Sequence, residues 1–194
     1  MRKPNNYANT TAPGDFKRLP AGGYICQIIK AEETRSSKGN PMMKVALEID
    51  EGEYAGFFGN LWRELKLSSD RPSEVKYPNE GIAYIVTVDR DGNCSKSFKG
   101  FCSALEDSGT QVWSDKDELL PLKGAKVGVI FRREENEYNG RTFWKTKPIG
   151  FRAMQRILDG DFTVPDDKPL GNPYAGTGFE SADSFAAAED DIPF

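Results

Sequence analysis

The chain reads as an all-β protein, a β-barrel carrying one short helix and ending in a disordered acidic tail. Two patterns and one change of composition support this. Apolar side chains alternate with period two through several short stretches separated by Gly, Pro, Asn and Asp, as half-buried strands require. One later stretch switches to helical spacing. Beyond Gly160 the sequence turns to Pro, Gly, Asp, Ser and Ala with scattered aromatics, too little apolar surface to offset the entropy of ordering.

Residues 1 to 19 are rich in Asn, Thr, Pro and Gly without an apolar period and are expected to form a flexible arm. Pro20-Ala21-Gly22-Gly23 punctuates the start of a first strand, Tyr24 to Thr34, in which Tyr24, Cys26 and Ile28 share a face. A turn cluster, Ser36 to Pro41, leads into Met42 to Asp50. There Met43, Val45, Leu47 and Ile49 point one way while Met42, Lys44, Ala46 and Glu48 point the other. The aromatic stretch Tyr54 to Arg63, with Gly56 and Gly59 inside it, predicts a bent or bulged third strand. A loop containing Pro72 and Pro78 follows, then Ile82 to Asp89, a further strand or part of a helix packed on a sheet, of which Ile85, Val86 and Val88 favour the strand.

Phe98, Phe101, Cys102 and Leu105 fall at i, i+3, i+4 and i+7, so Ser97 to Asp107 predicts an amphipathic helix closed near Gly109. Lys126 to Arg133 alternates through Val127, Val129 and Phe131. Tyr138-Asn139-Gly140 supplies a hairpin turn, and Arg141 to Ile149 returns as the partner strand. Phe151 to Leu158 is short enough for one or two helical turns. Three strands in meander, a late helix and a closing hairpin match the order of the five-stranded OB-fold, with Ile82 to Asp89 as a supernumerary strand. Another small barrel or a sandwich is the alternative. The expected organisation is an arm over 1–19, an OB-fold domain over 20–158, a disordered linker over 159–188 and a terminal tip over 189–194.

A length of 194 residues with 38% hydrophobic content suits one modest core. No run of about 18 apolar residues occurs and Met1 to Asn6 lacks a signal-peptide core, so a cytoplasmic protein without membrane contact is expected. Cys26, Cys94 and Cys102 are odd in number, lack CxxC spacing and read as buried thiols, with neither a disulfide nor a metal cage expected. There is no histidine, which removes the commonest general base and zinc ligand; no catalytic residue, cofactor or metal is assigned, and the chain is not expected to be an enzyme. The net charge of -4 divides unevenly. From Gly160 onward eight acids face the single Lys168, giving -7 and leaving +3 on residues 1–159.

A sequence-tolerant grip on single-stranded nucleic acid needs cations along the phosphates and aromatic faces for unpaired bases. Phe57, Phe58, Trp62 and Arg63 form one candidate set. Arg132, Arg133, Tyr138, Arg141, Phe143, Trp144, Lys145 and Lys147, on the closing hairpin, form a denser one. Period two puts Phe143, Lys145 and Lys147 on one face and Trp144 with Thr146 on the other, so at least one large ring is expected in the core. Lys30, Arg35 and Lys38 flank the first turn and Lys44 lies on the presumed outer face of the second strand; all four are phosphate candidates.

The last six residues, Glu189-Asp190-Asp191-Ile192-Pro193-Phe194, join an acidic cluster to an apolar end. The carboxylates steer toward a basic surface, Pro193 lowers the ordering cost, and Phe194 offers a ring with its carboxylate. This peptide resembles the acidic Ile-Pro-Phe tip of bacterial single-stranded DNA-binding proteins, with Glu189 where an aspartate is usual. Asp190, Asp191, Ile192, Pro193 and Phe194 correspond to that tip one by one; the body looks more like the divergent versions carried by bacteriophages and mobile elements. The resemblance implies a protein that coats and protects single-stranded DNA during replication or recombination, in a host bacterial cytoplasm if phage-encoded. It also implies docking of replication, recombination and repair proteins on the tip. Edge pairing of strands leaves a homo-oligomer open.

Two rival readings stand beside it. Pro165-Asp166-Asp167-Lys168 resembles metal-dependent nuclease signatures but lies in the expected linker with no strand around it, and Asp89, Asp91 and Gly92 read more simply as a turn. A recombination mediator or adaptor with the same tip is the other. Walker loops, G-x-S-x-G elbows and GxGxxG turns are absent.

Overall fold

A computed structural model describes residues 2, 3, 7 and 18–171. The remainder of the N-terminal arm, the later part of the expected linker and the whole tip Glu189 to Phe194 lie outside the described residues.

The structure is mostly β. Its strands are β1 (Gly22–Arg35), β2 (Pro41–Ile49), β3 (Ile82–Val86), β4 (Lys126–Tyr138) and β5 (Arg141–Arg152). Helix α1 (Phe57–Ser68) lies between β2 and β3, α2 (Lys96–Asp107) between β3 and β4, and α3 (Met154–Leu158) follows β5. One antiparallel sheet holds all five strands in the order β3-β2-β1-β4-β5. The edge strands β3 and β5 approach each other without a ladder between them, so the sheet is curled but open.

The period-two readings translate directly into the core. Met43, Val45, Leu47 and Ile49 of β2 are buried with Cys26 and Ile28 of β1, Val127, Val129 and Phe131 of β4, and Ala83 and Ile85 of β3. Helix α2 closes the interior with Phe101, Cys102, Ala104 and Leu105, and the Phe101 and Phe151 rings meet at 4.8 Å. Ser95 caps α2 by accepting from the Phe98 amide at 3.0 Å, and the chain leaves the helix through Gly109 at φ +87°.

Four sequence expectations change. Tyr54 to Arg63 is not a strand: from Phe57 it forms α1, and the third meander strand is β3, the one counted as supernumerary. The cause is Glu48 on β2. Its carboxylate accepts the Phe58 and Ile49 amides at 2.9 and 3.0 Å together with the Gly59 amide, satisfying two orphan donors of the first helical turn. A Cβ at Gly59 would stand 2.6 Å from the Glu48 carboxylate, so the glycine read as a strand bulge is what lets the anion reach the helix. Among the described residues there are thus three α-helices rather than one.

The arm is anchored at its end, since Leu19 is buried and its carbonyl accepts from the Thr146 hydroxyl at 2.6 Å. The chain after residue 159 is packed rather than loose through its described part. Phe162 lies over Gly23, and Lys168 forms a parallel bridge with Glu134. Finally, Cys94 is exposed, whereas Cys26 and Cys102 are buried as expected; all three thiols are free.

Candidate nucleic-acid interface

The β4–β5 hairpin turns at Asn139 and Gly140, with φ of +50° and +73°, the pair of left-handed conformations that a tight two-residue turn demands. Its β1 neighbour gives out early, because the β1–β4 ladder ends at Gly22 opposite Phe131. Residues 132–138 and their β5 partners therefore continue beyond the end of β1 as a hairpin arm. Arg133 stands opposite Thr146 and Glu135 opposite Trp144 on one face. Arg132 opposite Lys147, Glu134 opposite Lys145 and Asn136 opposite Phe143 make up the other.

On the first face the Arg133 guanidinium sits 5.5 Å from the Trp144 ring centre, and on the second the Lys145 ammonium sits 5.2 Å from that of Phe143. Both rings are half-buried, so neither is consigned to the core as expected; Thr146, Pro148 and Phe151 are the buried residues of this strand. Arg141, at the tip, is exposed. Tyr138 is half-buried beside it. Lys147 lies 3.8 Å from Glu134 and 3.4 Å from the Asn136 amide oxygen.

Not every nominated cation is free to bind. Arg132 is 7% exposed and spends one nitrogen on Glu134 at 2.6 Å, so it belongs to the packing of β4 and not to a phosphate surface. Arg133 grips Asp167 through two nitrogens, Nε at 3.0 Å from Oδ1, and holds that carboxyl below its usual range. Sequence inspection missed Arg18, which reaches the Trp144 carbonyl at 3.3 Å. The arm around it has no periodicity to flag it.

The second candidate set divides. Phe58 is fully buried, 6.0 Å from Phe131, and offers no face to a base; Phe57 packs against it at 5.3 Å and is also part of the interior. Trp62 and Arg63, carried on α1, instead line an open groove of about 340 Å³ with Ile29, Glu48, Lys66 and Tyr77. Trp62 Nε1 donates to the Val75 carbonyl at 3.0 Å, which fixes the indole, and the Lys66 ammonium lies 3.6 Å from its ring centre. Arg63 donates to the Asn60 side chain at 2.8 Å. Lys66 sits four residues after Trp62, a spacing visible in the sequence but meaningful only once the segment is helical.

The first-turn cations are spread along β1 and β2. Lys30 bonds Glu32, whose carboxyl it holds below the usual range; Lys44 lies 3.9 Å from the same Glu32 and 6.0 Å from the Tyr84 ring centre. Arg35 donates to the Gly39 carbonyl at 3.0 Å, and Lys38 is exposed in the turn. The structure therefore does not gather the sixteen body residues into one patch. It gathers two cation–aromatic surfaces, the hairpin arm and the α1 groove, with the first turn apart.

The residues considered for metal chemistry have other work: Asp167 holds Arg133, and Asp89 caps its own turn by accepting the Asp91 and Asn93 amides at 3.0 and 2.9 Å. Among the described residues no helix is long and apolar enough to cross a membrane. No curated protein matches the chain. One family does, described as a protein of unknown function, over residues 5–152, a span running from the arm through the last strand of the sheet. The chain belongs to the DUF669 family.

Proposed function

We propose that the chain is a single-stranded DNA-binding protein that holds unpaired nucleotides on its β4–β5 arm. The observation that carries this reading is the pairing of two half-exposed rings of the arm with cations at stacking distance, Trp144 with Arg133 and Phe143 with Lys145. A ring presents a face to any base and the neighbouring cation presents charge to the phosphate between bases, which is what sequence-tolerant binding needs.

The strand order supports an OB-like barrel. A β1-β2-β3 meander, β4 paired with β1, and a helix between β3 and β4 are the connections of that fold, here left open between β3 and β5. The physiological role we infer is protection of single strands in replication or recombination, of bacteriophage type and in a bacterial cytoplasm. In this reading residues 189–194 recruit host replication and repair proteins, and the chain carries out no catalysis.

The test is a titration of fluorescein-labelled oligothymidine with the full chain at several salt concentrations, beside a duplex of equal length. Binding of the single strand with quenched tryptophan emission and a steep salt slope is expected. Failure to bind oligothymidine at low salt overturns the proposal, and preference for duplex favours the adaptor reading.

A further inference from the structure

We propose that residues 161–170 form an acidic strap that occupies the Arg133–Trp144 site in the absence of DNA, with Asp167 standing where a phosphate would bind. The inference rests on the single-stranded DNA reading and specifies how that site is regulated. Three sets of contacts define the strap. The Asp167 carboxylate meets the Arg133 guanidinium with two oxygens on two nitrogens, the fork geometry in which carboxylate and phosphate are interchangeable ligands. The strap backbone pairs with β4 on either side of that contact, Lys168 N donating to the Arg133 carbonyl at 2.9 Å and Glu135 N donating to the Lys168 carbonyl at 2.8 Å. Leu170 N then donates to the Glu135 carboxylate at 3.1 Å.

The strap thus takes up β4 backbone groups beyond the point where β1 has ended, and it does so beside the ring and cation assigned to DNA. Its hold is reversible by construction. The Arg133 side chain is 52% exposed and that of Asp167 33%, so solvent and a competing anion reach the pair. Upstream, Phe162 over Gly23 and the bond from Arg156 to Asp161 at 2.8 Å keep the segment tethered when its distal half lifts.

The experiment compares the full-length wild type with Asp167→Asn and Asp166→Asn in binding fluorescein-labelled oligothymidine at low salt. Asp166 is exposed and removes the same charge one residue earlier. Asp167→Asn is expected to bind about fivefold more tightly and with a steeper salt slope, while Asp166→Asn stays near wild type. In the wild type, oligothymidine is expected to speed amide exchange at Glu135 and Lys168. Equal affinity of wild type and Asp167→Asn, an equal gain in Asp166→Asn, or exchange unaffected by DNA overturns the strap and leaves the DNA reading standing. Absence of binding by all three chains overturns the reading beneath it.

Discussion

Trp144 and Glu48 show how differently two half-buried side chains can serve one chain. Trp144 is placed by its backbone, whose carbonyl takes the Arg18 guanidinium, while its ring is left for Arg133 and solvent. Truncating it should therefore cost binding more than folding: Trp144→Ala is expected to weaken oligothymidine binding by about 1–3 kcal/mol, with Trp144→Phe retaining most of the affinity. Denaturant titration of the same variants should show little loss of stability; equal losses in both measurements would return Trp144 to a packing role. Glu48 is the reverse case. Its two oxygens serve the Ile49, Phe58 and Gly59 amides, and Oε2 lies 3.4 Å from the Tyr77 hydroxyl, so removing them strands the start of α1. Glu48→Ala is expected to lower stability by about 1–3 kcal/mol, read from the urea midpoint.

Strands and helices were legible in proportion to how local their causes are. β2 could be read from alternation because burial on one face is a property of the strand itself, and β4 from its alternating Val127, Val129 and Phe131, although from Val127 to Arg132 it is buried on both faces. The segment that became α1 is rich in aromatics, which favours a strand, yet what decides it is a carboxylate on β2 and a glycine that admits it. That partnership is invisible along the chain, and with it went Lys66 and the groove beside Trp62. The docked segment after α3 was hidden for the same reason: its composition is that of a linker, and its order comes from Arg133 and the free edge of β4. Cysteine reactivity reports on these elements separately. Cys26 in β1 is fully buried and its thiol is pushed far up by burial, Cys102 in α2 is pushed up to about 11 chiefly by burial, and Cys94 in the loop before α2 is exposed. A maleimide at neutral pH should label one thiol in the native protein, Cys94, and all three in denaturant, counted by intact mass. Rapid native labelling of Cys102 would mean that α2 opens independently of the sheet.

Across the whole molecule one net of aromatic rings joins elements distant in sequence. Tyr24 of β1 meets Tyr54 and Phe131 edge-on, Phe58 of α1 meets Phe131 and Tyr77, and Tyr77 meets Trp62. The Tyr77 hydroxyl donates to the Leu47 carbonyl at 2.9 Å, pinning the loop before β3 onto β2, and that of Tyr24 donates to the Pro20 carbonyl at 2.9 Å. Both phenols are harder to ionise than a free tyrosine. Burial pushes Tyr24 up to about 12, and burial with the Glu48 carboxylate beside it pushes Tyr77 further. A folded-state pKa raised above the unfolded value of about 10 gives stability that is whole below that pH. Above it the unfolded chain releases protons that the folded chain retains, so stability falls as pH climbs from about 10 through the folded values. The expected outcome is alkaline unfolding within the span from pH 10 to about 12, where part of the tyrosinate absorbance appears together with the loss of the sheet's circular dichroism. Tyr77→Phe removes one of the two suppressed phenols and the donor to Leu47, so it should begin from lower stability at neutral pH yet lose less between pH 10 and 12. If all seven tyrosines titrate smoothly near pH 10 while the circular dichroism holds, the rings do not form the interior joint that couples α1 to the sheet.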